Sequence, residues 1–257
     1  MDYRQMFENI KKMIDDDPEN VRILEEVIDV DLQAKYFKAA RKVKKNLNAD
    51  EALERRDELF DENASIELKK LLLSQLASVN KVEAFRAIEL YSQKPDAGLR
   101  EWSILALQES RMLIHSLLLD KSPIFISTGL GGKGSKLRYF VVFVTEKGEP
   151  FEEFQKALIN SELGFMMKNH DSEVEEVQFY SNYCTISILI PLRESVKDAI
   201  SSVVNNCNEL GGFLKSEFMV TNVKRMSSSE IEAAIVKEFD RLKENETTNE
   251  NENDGLE

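Results

Sequence analysis

The sequence predicts a multidomain chain, an all-helical amino-terminal half followed by an α+β carboxy-terminal half. From Met1 to Leu119 apolar residues recur at spacings of three and four, the helical period. After Lys121 the period falls to two, and two nearly uninterrupted apolar runs, Leu137 to Thr145 and Tyr183 to Leu192, read as strands buried on both faces. With 257 residues, 42% hydrophobic and 32% charged, and only 10 Gly and 5 Pro, the chain can bury two ordinary cores without disulfides or metals.

In the first half, Tyr3, Met6, Phe7, Ile10, Met13 and Ile14 form one stripe on an expected helix from Met1 to Ile14. Asp17 before Pro18 is a helix-start signal, and Val21, Leu24, Val27 and Ile28 continue the helical period. After a break near Val30 and Asp31, Tyr36, Phe37, Ala40 and Val43 carry it towards Leu47, and a third helix is expected from Asp50 to Phe60. Compact helices follow over Ile66–Val79 and Val82–Tyr91, then the turn Gln93-Lys94-Pro95-Asp96, then Leu99–Leu119 with Leu99, Trp102, Leu105 and Ala106 near one face. The stretch from Asp96 to Ser110, an Asp-containing turn leading into Leu, an aromatic and then Ala-Leu, resembles a HEAT-repeat helix. That resemblance spans about residues 61–120, with Ile66 and Leu72 recurring as Leu99 and Leu105 at a common shift. It implies stacked helix pairs that offer a ridged surface to a partner; an irregular helical bundle remains the alternative.

In the second half, Pro123–Thr128 is a short apolar run and Gly129–Ser135 a glycine loop before the strand Leu137–Thr145. A helix over Pro150–Met167 precedes a strand marked by Val174, Val177 and Phe179, and Ser181-Asn182 turns the chain into Tyr183–Leu192. The next helix carries Val196, Ile200, Val203, Val204 and Cys207 and stops at Gly211-Gly212; Phe218–Val223 supplies a fourth strand. The order βαββαβ over residues 136–226 resembles the ferredoxin-like fold, an antiparallel sheet with helices on one face, which implies that the first and third strands lie in the middle. Those two are the most continuously apolar; another four-stranded packing of sheet and helices stays open. Ser227 and Glu230 form a capping-box pair for a last helix bearing Ile231, Ala234, Ile235, Phe239 and Leu242. The expected division is 1–120 helical, 121–136 connecting strand and glycine loop, 137–243 α+β, and 244–257 a disordered acidic tail.

The first twenty residues contain no apolar run of signal-peptide length, and no stretch is apolar enough for a membrane span, so a cytoplasmic protein is expected. Cys184 and Cys207 fall in a strand and a helix and are expected as buried thiols. A net charge of −13 argues against a general nucleic-acid binder. Much of that charge sits in the tail, on Glu244, Glu246, Glu250, Glu252, Asp254 and Glu257, which leaves room for local basic patches.

Two such patches are candidates. The run Gly129, Gly131, Gly132, Lys133, Gly134 and Lys136, with Arg138 nearby, matches G-x-G-x-x-G but leads into a strand, which is the wrong context for a dinucleotide site. Its backbone donors and cations could instead form an anion-binding concavity for phosphate or a nucleic-acid backbone. The second patch, Lys35, Lys38, Arg41, Lys42, Lys44 and Lys45, lies on one helix opposite Phe37, Ala40 and Val43. His115 and His170 show no ligand spacing with each other or with the cysteines, and no nucleophile motif occurs, so no metal, cofactor or catalytic residue is expected. These readings lead to a non-enzymatic binding or adaptor protein whose partner is a protein or a ribonucleoprotein such as the ribosome. The alternative is a ligand-sensing regulator, implied by the similarity of ferredoxin-like and ACT-type domains.

Overall fold

The computed structural model describes Lys12, residues 20–119 and residues 123–237. The expected helix over Met1–Ile14, the Asp17-Pro18 start, the end of the last helix at Phe239 and Leu242, and the acidic tail lie outside those residues. The chain divides into two compact units, Met1–Leu137 and Arg138–Glu257.

The first unit opens with β1 (Val21–Ile23), paired in parallel with β2 (Ile124–Ile126), Val21 opposite Ile124 and Ile23 opposite Ile126. The helix expected through Val21, Leu24, Val27 and Ile28 is therefore corrected to a strand and loop. Leu24 and Ile28 are fully buried while Val27 is 59% exposed, a split that one helical face would not give. The β-branched pairing partners stand at the far end of the unit, beyond the reach of a local period. Helix α1 (Val30–Lys44) starts where Asp29 caps it, its carboxylate accepting from the Asp31 and Leu32 amides at 2.9 and 3.1 Å. Helix α2 (Ala49–Glu54) is capped by Asn48 and gives way at Arg55 to a 3-10 turn, Arg56–Phe60, so the expected third helix is split.

Helices α3 (Ile66–Ala77), α4 (Val82–Gln93) and α5 (Arg100–Leu119) complete the helical part, and Leu24, Tyr36, Leu59, Leu72, Leu76, Ile88, Leu99 and Leu105 are among its fully or nearly fully buried residues. Trp102 is anchored there: its indole N–H donates to the Lys70 carbonyl at 3.2 Å, and its ring meets Tyr36 edge-on at 5.2 Å. The turn before α5 is tied down by charge. Asp96 accepts from the Lys69 ammonium and from the Tyr91 hydroxyl, both at 2.6 Å, and the Lys69 side chain is only 4% exposed. Residues 123–136, read from sequence as a connection, belong to this unit through β2 and through β3 (Gly132–Lys133), which forms a tight hairpin with the first residues of β4 (Lys136–Val144).

In the second unit, β4 is followed by α6 (Glu153–His170), β5 (Glu173–Phe179), β6 (Tyr183–Pro191), α7 (Val196–Glu209) and β7 (Met219–Thr221). Strand β4 pairs with β6 and with β7, and β6 pairs with β4 and β5, so β4 and β6 are interior and β5 marginal. Both β5 on β6 and β7 on β4 are antiparallel. All nine residues of β6 are buried, as its sequence requires. Val141 and Phe143 of β4 and Cys184, Ile186, Ile188 and Ile190 of β6 share a core with Ile159 and Leu163 of α6 and Ile200, Val203 and Val204 of α7. Asn208 closes the turn after α7 by gripping Leu214 at both its amide (2.9 Å) and its carbonyl (2.8 Å). A last helix runs from 228 and is described to 237, with the Ser227–Glu230 capping box formed in both directions. The chain is thus a mixed α and β protein with an antiparallel sheet. No helix among the described residues is long and apolar enough to cross a membrane.

Candidate functional site

The glycine run is packed, and its own protein takes up two of its amide donors. Gly129, Gly131 and Gly132 are buried. At Gly131, with φ +66°, a Cβ would stand 2.4 Å from the Glu25 carbonyl oxygen and 2.6 Å from that of Glu26. Only glycine permits that approach of two backbones. The Gly131 amide donates to the Thr128 carbonyl, and the Gly134 amide donates to the Glu25 carboxylate at 3.0 Å. Lys133 is exposed and Lys136 half-buried, and both have partners within the protein.

Arg138 falls in the second unit, where its guanidinium grips Glu175 with two bonds of 2.6 and 2.9 Å. The Ser187 hydroxyl donates to the same carboxylate at 3.1 Å, and Arg225 pairs with the neighbouring Glu176 at 2.7 Å. Arg138 holds the Glu175 carboxyl below the ordinary carboxylate range, as Arg225 does for Glu176. This cluster is a charge-balanced brace across β4, β5 and β6.

The second patch behaves differently. At 3.6 residues per turn, Lys35, Lys38, Arg41, Lys42 and Lys45 fall within an arc of about 120° on α1 and its C-cap. The buried side of the helix, Gln33, Tyr36 and Ala40, points the other way. All of these cations are exposed, and among the described residues none of them makes an ion pair. Lys44 does not belong to the arc; it turns to Glu109 of α5 and pairs with it at 2.6 Å. Glu109 also accepts from the buried Tyr36 hydroxyl at 2.6 Å, and burial first, then Glu109, drives that phenol well above its usual range. The two patches that sequence could not relate meet on the opposite side of α1 from the arc, where the Gln33 amide donates to the Thr128 carbonyl at 3.0 Å.

Beside the arc lies a feature with no signal in the sequence, an apolar groove of about 360 Å³ between α1, α5 and β2. Its walls come from segments scattered between Phe37 and Phe125, so no local spacing announces it. The histidines stand apart, His115 on α5 and His170 at the end of α6 with Glu194 at 3.0 Å. Among the described residues no group of three or more His, Cys, Asp or Glu could hold a metal ion. Burial pushes the Cys184 thiol up to about 12 and that of Cys207 up to about 11, and both are free.

No family model and no curated protein matches the sequence. Several solved structures are similar to part of it, among them the following two. One is a candidate transposase from Deinococcus radiodurans R1, with 15% identity over 41% of this chain and 95% of that one and a TM-score of 0.35. The other is a REP-associated tyrosine transposase bound to a REP hairpin, with 5% identity over 35% of this chain, a TM-score of 0.31, and 57% of its own length covered. The expectation of a non-enzymatic adaptor on a protein or ribosomal partner, with its ligand-sensing alternative, is corrected by this finding: both neighbours are described as transposases, and neither is an adaptor or a ribosomal protein. At these identities and scores the likeness assigns no activity to this chain.

Proposed function

We propose that the protein binds the sugar-phosphate backbone of nucleic acid through the cationic arc of α1. The observation that carries this reading is the arc itself: Lys35, Lys38, Arg41, Lys42 and Lys45 on one exposed face, with no carboxylate partner among the described residues, in a chain of net charge −13. Like charges three and four residues apart repel, at a few tenths of a kcal/mol per pair. An isolated helix gains nothing from this pattern, whereas a polyanion converts the repulsion into attraction. From Lys35 to Lys45 the helix rises about 15 Å, roughly four phosphate-to-phosphate steps along one strand, which spans about five phosphates.

Two finer features of architecture accompany this proposal. The shared core of α3, α4 and α5 and the Asp96 turn that ties them together support a HEAT-like reading of the first unit. The interior places of β4 and β6, with α6 and α7 sharing one core against them, support a ferredoxin-like reading of the second.

The test is fluorescence anisotropy of a labelled single-stranded oligonucleotide at 0.1 M salt. Replacing Lys38 and Lys42 together by Gln removes two phosphate contacts, so affinity falls on the order of 25- to 60-fold. The fold survives, because the two like charges at i and i+4 repel each other. A charge-matched control, K81Q/K156Q, removes lysines already paired to Asp50 and Glu153 and lowers affinity by less than about threefold. Equal losses in the two variants, or no loss in the first, would overturn the reading.

A further inference from the structure

Resting on that reading, we propose that the first unit takes one unstacked base of a single strand into the groove beside the arc. The groove's volume of about 360 Å³ falls within the usual range of small-ligand sites. Phe37 and Phe125 supply aromatic walls and Met112 and Leu113 soft apolar ones, while Ser116 is a polar group able to meet a base edge.

The position of the groove decides which apolar ligand it fits. Arg41 belongs both to the arc and to the groove rim, so a strand tracked by the arc passes directly over the opening. Beyond the opposite rim a second pocket of about 210 Å³ shares Met112 and Pro123 with the groove and is lined by Arg22, Arg111, Gln108 and His115. An apolar slot with guanidinium groups at each end matches the alternation of a nucleic-acid strand, phosphate, base, phosphate. A lipid tail or an apolar peptide would leave one cationic end without a counterpart. A base within a duplex is stacked on both faces and cannot enter, so the inferred ligand is single-stranded or locally opened nucleic acid.

The experiment uses the full chain and three probes of equal length: a single-stranded oligonucleotide, its duplex, and an oligomer of abasic sites with the same number of phosphates. The wild type binds the single strand at least about fivefold more tightly than the other two, since base stacking on aromatic walls is worth about 1–3 kcal/mol per base. M112W fills the groove and brings single-strand affinity down to the abasic value, leaving abasic binding unchanged. R111Q, at an exposed side chain, weakens single-strand binding about fivefold, the loss of one phosphate contact at 0.1 M salt. Wild-type affinities within twofold across the three probes would overturn the groove while leaving the arc standing. So would M112W altering only the oligomeric state or the melting temperature, which would mean that the groove seats protein. Loss of the effect of K38Q/K42Q on all three probes would instead sink the phosphate-binding reading beneath it.

Discussion

Replacing Asp96 by Ala tests how the helical unit is held together. The Lys69 side chain is 4% exposed and its ammonium reaches Asp96 at 2.6 Å, while the Tyr91 hydroxyl donates to the same carboxylate at the same distance. Removing one member of a buried pair costs about 3–5 kcal/mol, because the other charge stays behind without compensation. Asp96 itself is 42% exposed, so water reaches the site and the lower end applies, about 3 kcal/mol including the lost tyrosine bond. At about 3–4 °C per kcal/mol for a unit of this size, the melting temperature falls by about 10 °C. The only tryptophan is Trp102, so its fluorescence follows this unit alone during heating. Adding K69M to D96A removes the stranded charge and recovers at least half of the loss. Lys69 first and Tyr91 second hold the Asp96 carboxyl below its ordinary range, so this stabilisation is present above the usual carboxylate pKa and is lost as pH falls through the lowered value. A shift of less than about 3 °C in D96A, or no recovery in K69M/D96A, would refute the reasoning.

Three further outcomes follow from single sites. Gly131→Ala combines a left-handed backbone with a Cβ driven into the Glu25 and Glu26 carbonyls, and destabilises by at least about 3 kcal/mol in chemical denaturation; Gly98→Ala, at φ +79° with open space around it, costs only about 1–2 kcal/mol. Cys184 and Cys207 resist alkylation at pH 8 in the folded protein and react together only as the second unit unfolds, since burial holds both thiols protonated. Lys224 first, then the Ser227 amide and hydroxyl, pull the Glu230 carboxyl down to about 2. Its depressed value means that the cap supports the helix from 228 above pH about 4.5 and is lost as pH falls towards 2; amide exchange over 228–237 shows that dependence, and E230Q abolishes it.

Which elements could be read from the sequence follows from where their determinants lie. Strand β6 was legible because its apolar run carries its own burial, and α3, α4 and α5 because their stripes repeat within a single helix. The capping box of Ser227 and Glu230 is likewise local chemistry. Strand β1 was not legible: Val21, Leu24 and Ile28 satisfy a helical period, and only Ile124–Ile126, distant in sequence, draws Val21–Ile23 into a ladder. The same nonlocality turned an apparently open glycine loop into a packed one, since the backbone of Glu25 and Glu26 covers Gly131. The arc on α1 was legible as a run of Lys and Arg, but the departure of Lys44 to Glu109 required the position of α5. The groove could not have been foreseen, because α1, α5 and β2 each supply only part of its wall.

The salt dependence of oligonucleotide affinity bears most directly on the arc as a phosphate-binding surface. If Lys35, Lys38, Arg41, Lys42 and Lys45 each neutralise one phosphate, log Kd plotted against log salt rises with a slope of about 3.5 for a single strand, and K38Q/K42Q lowers that slope by about 1.4. A slope near zero, or the same slope in wild type and variant, would contradict it.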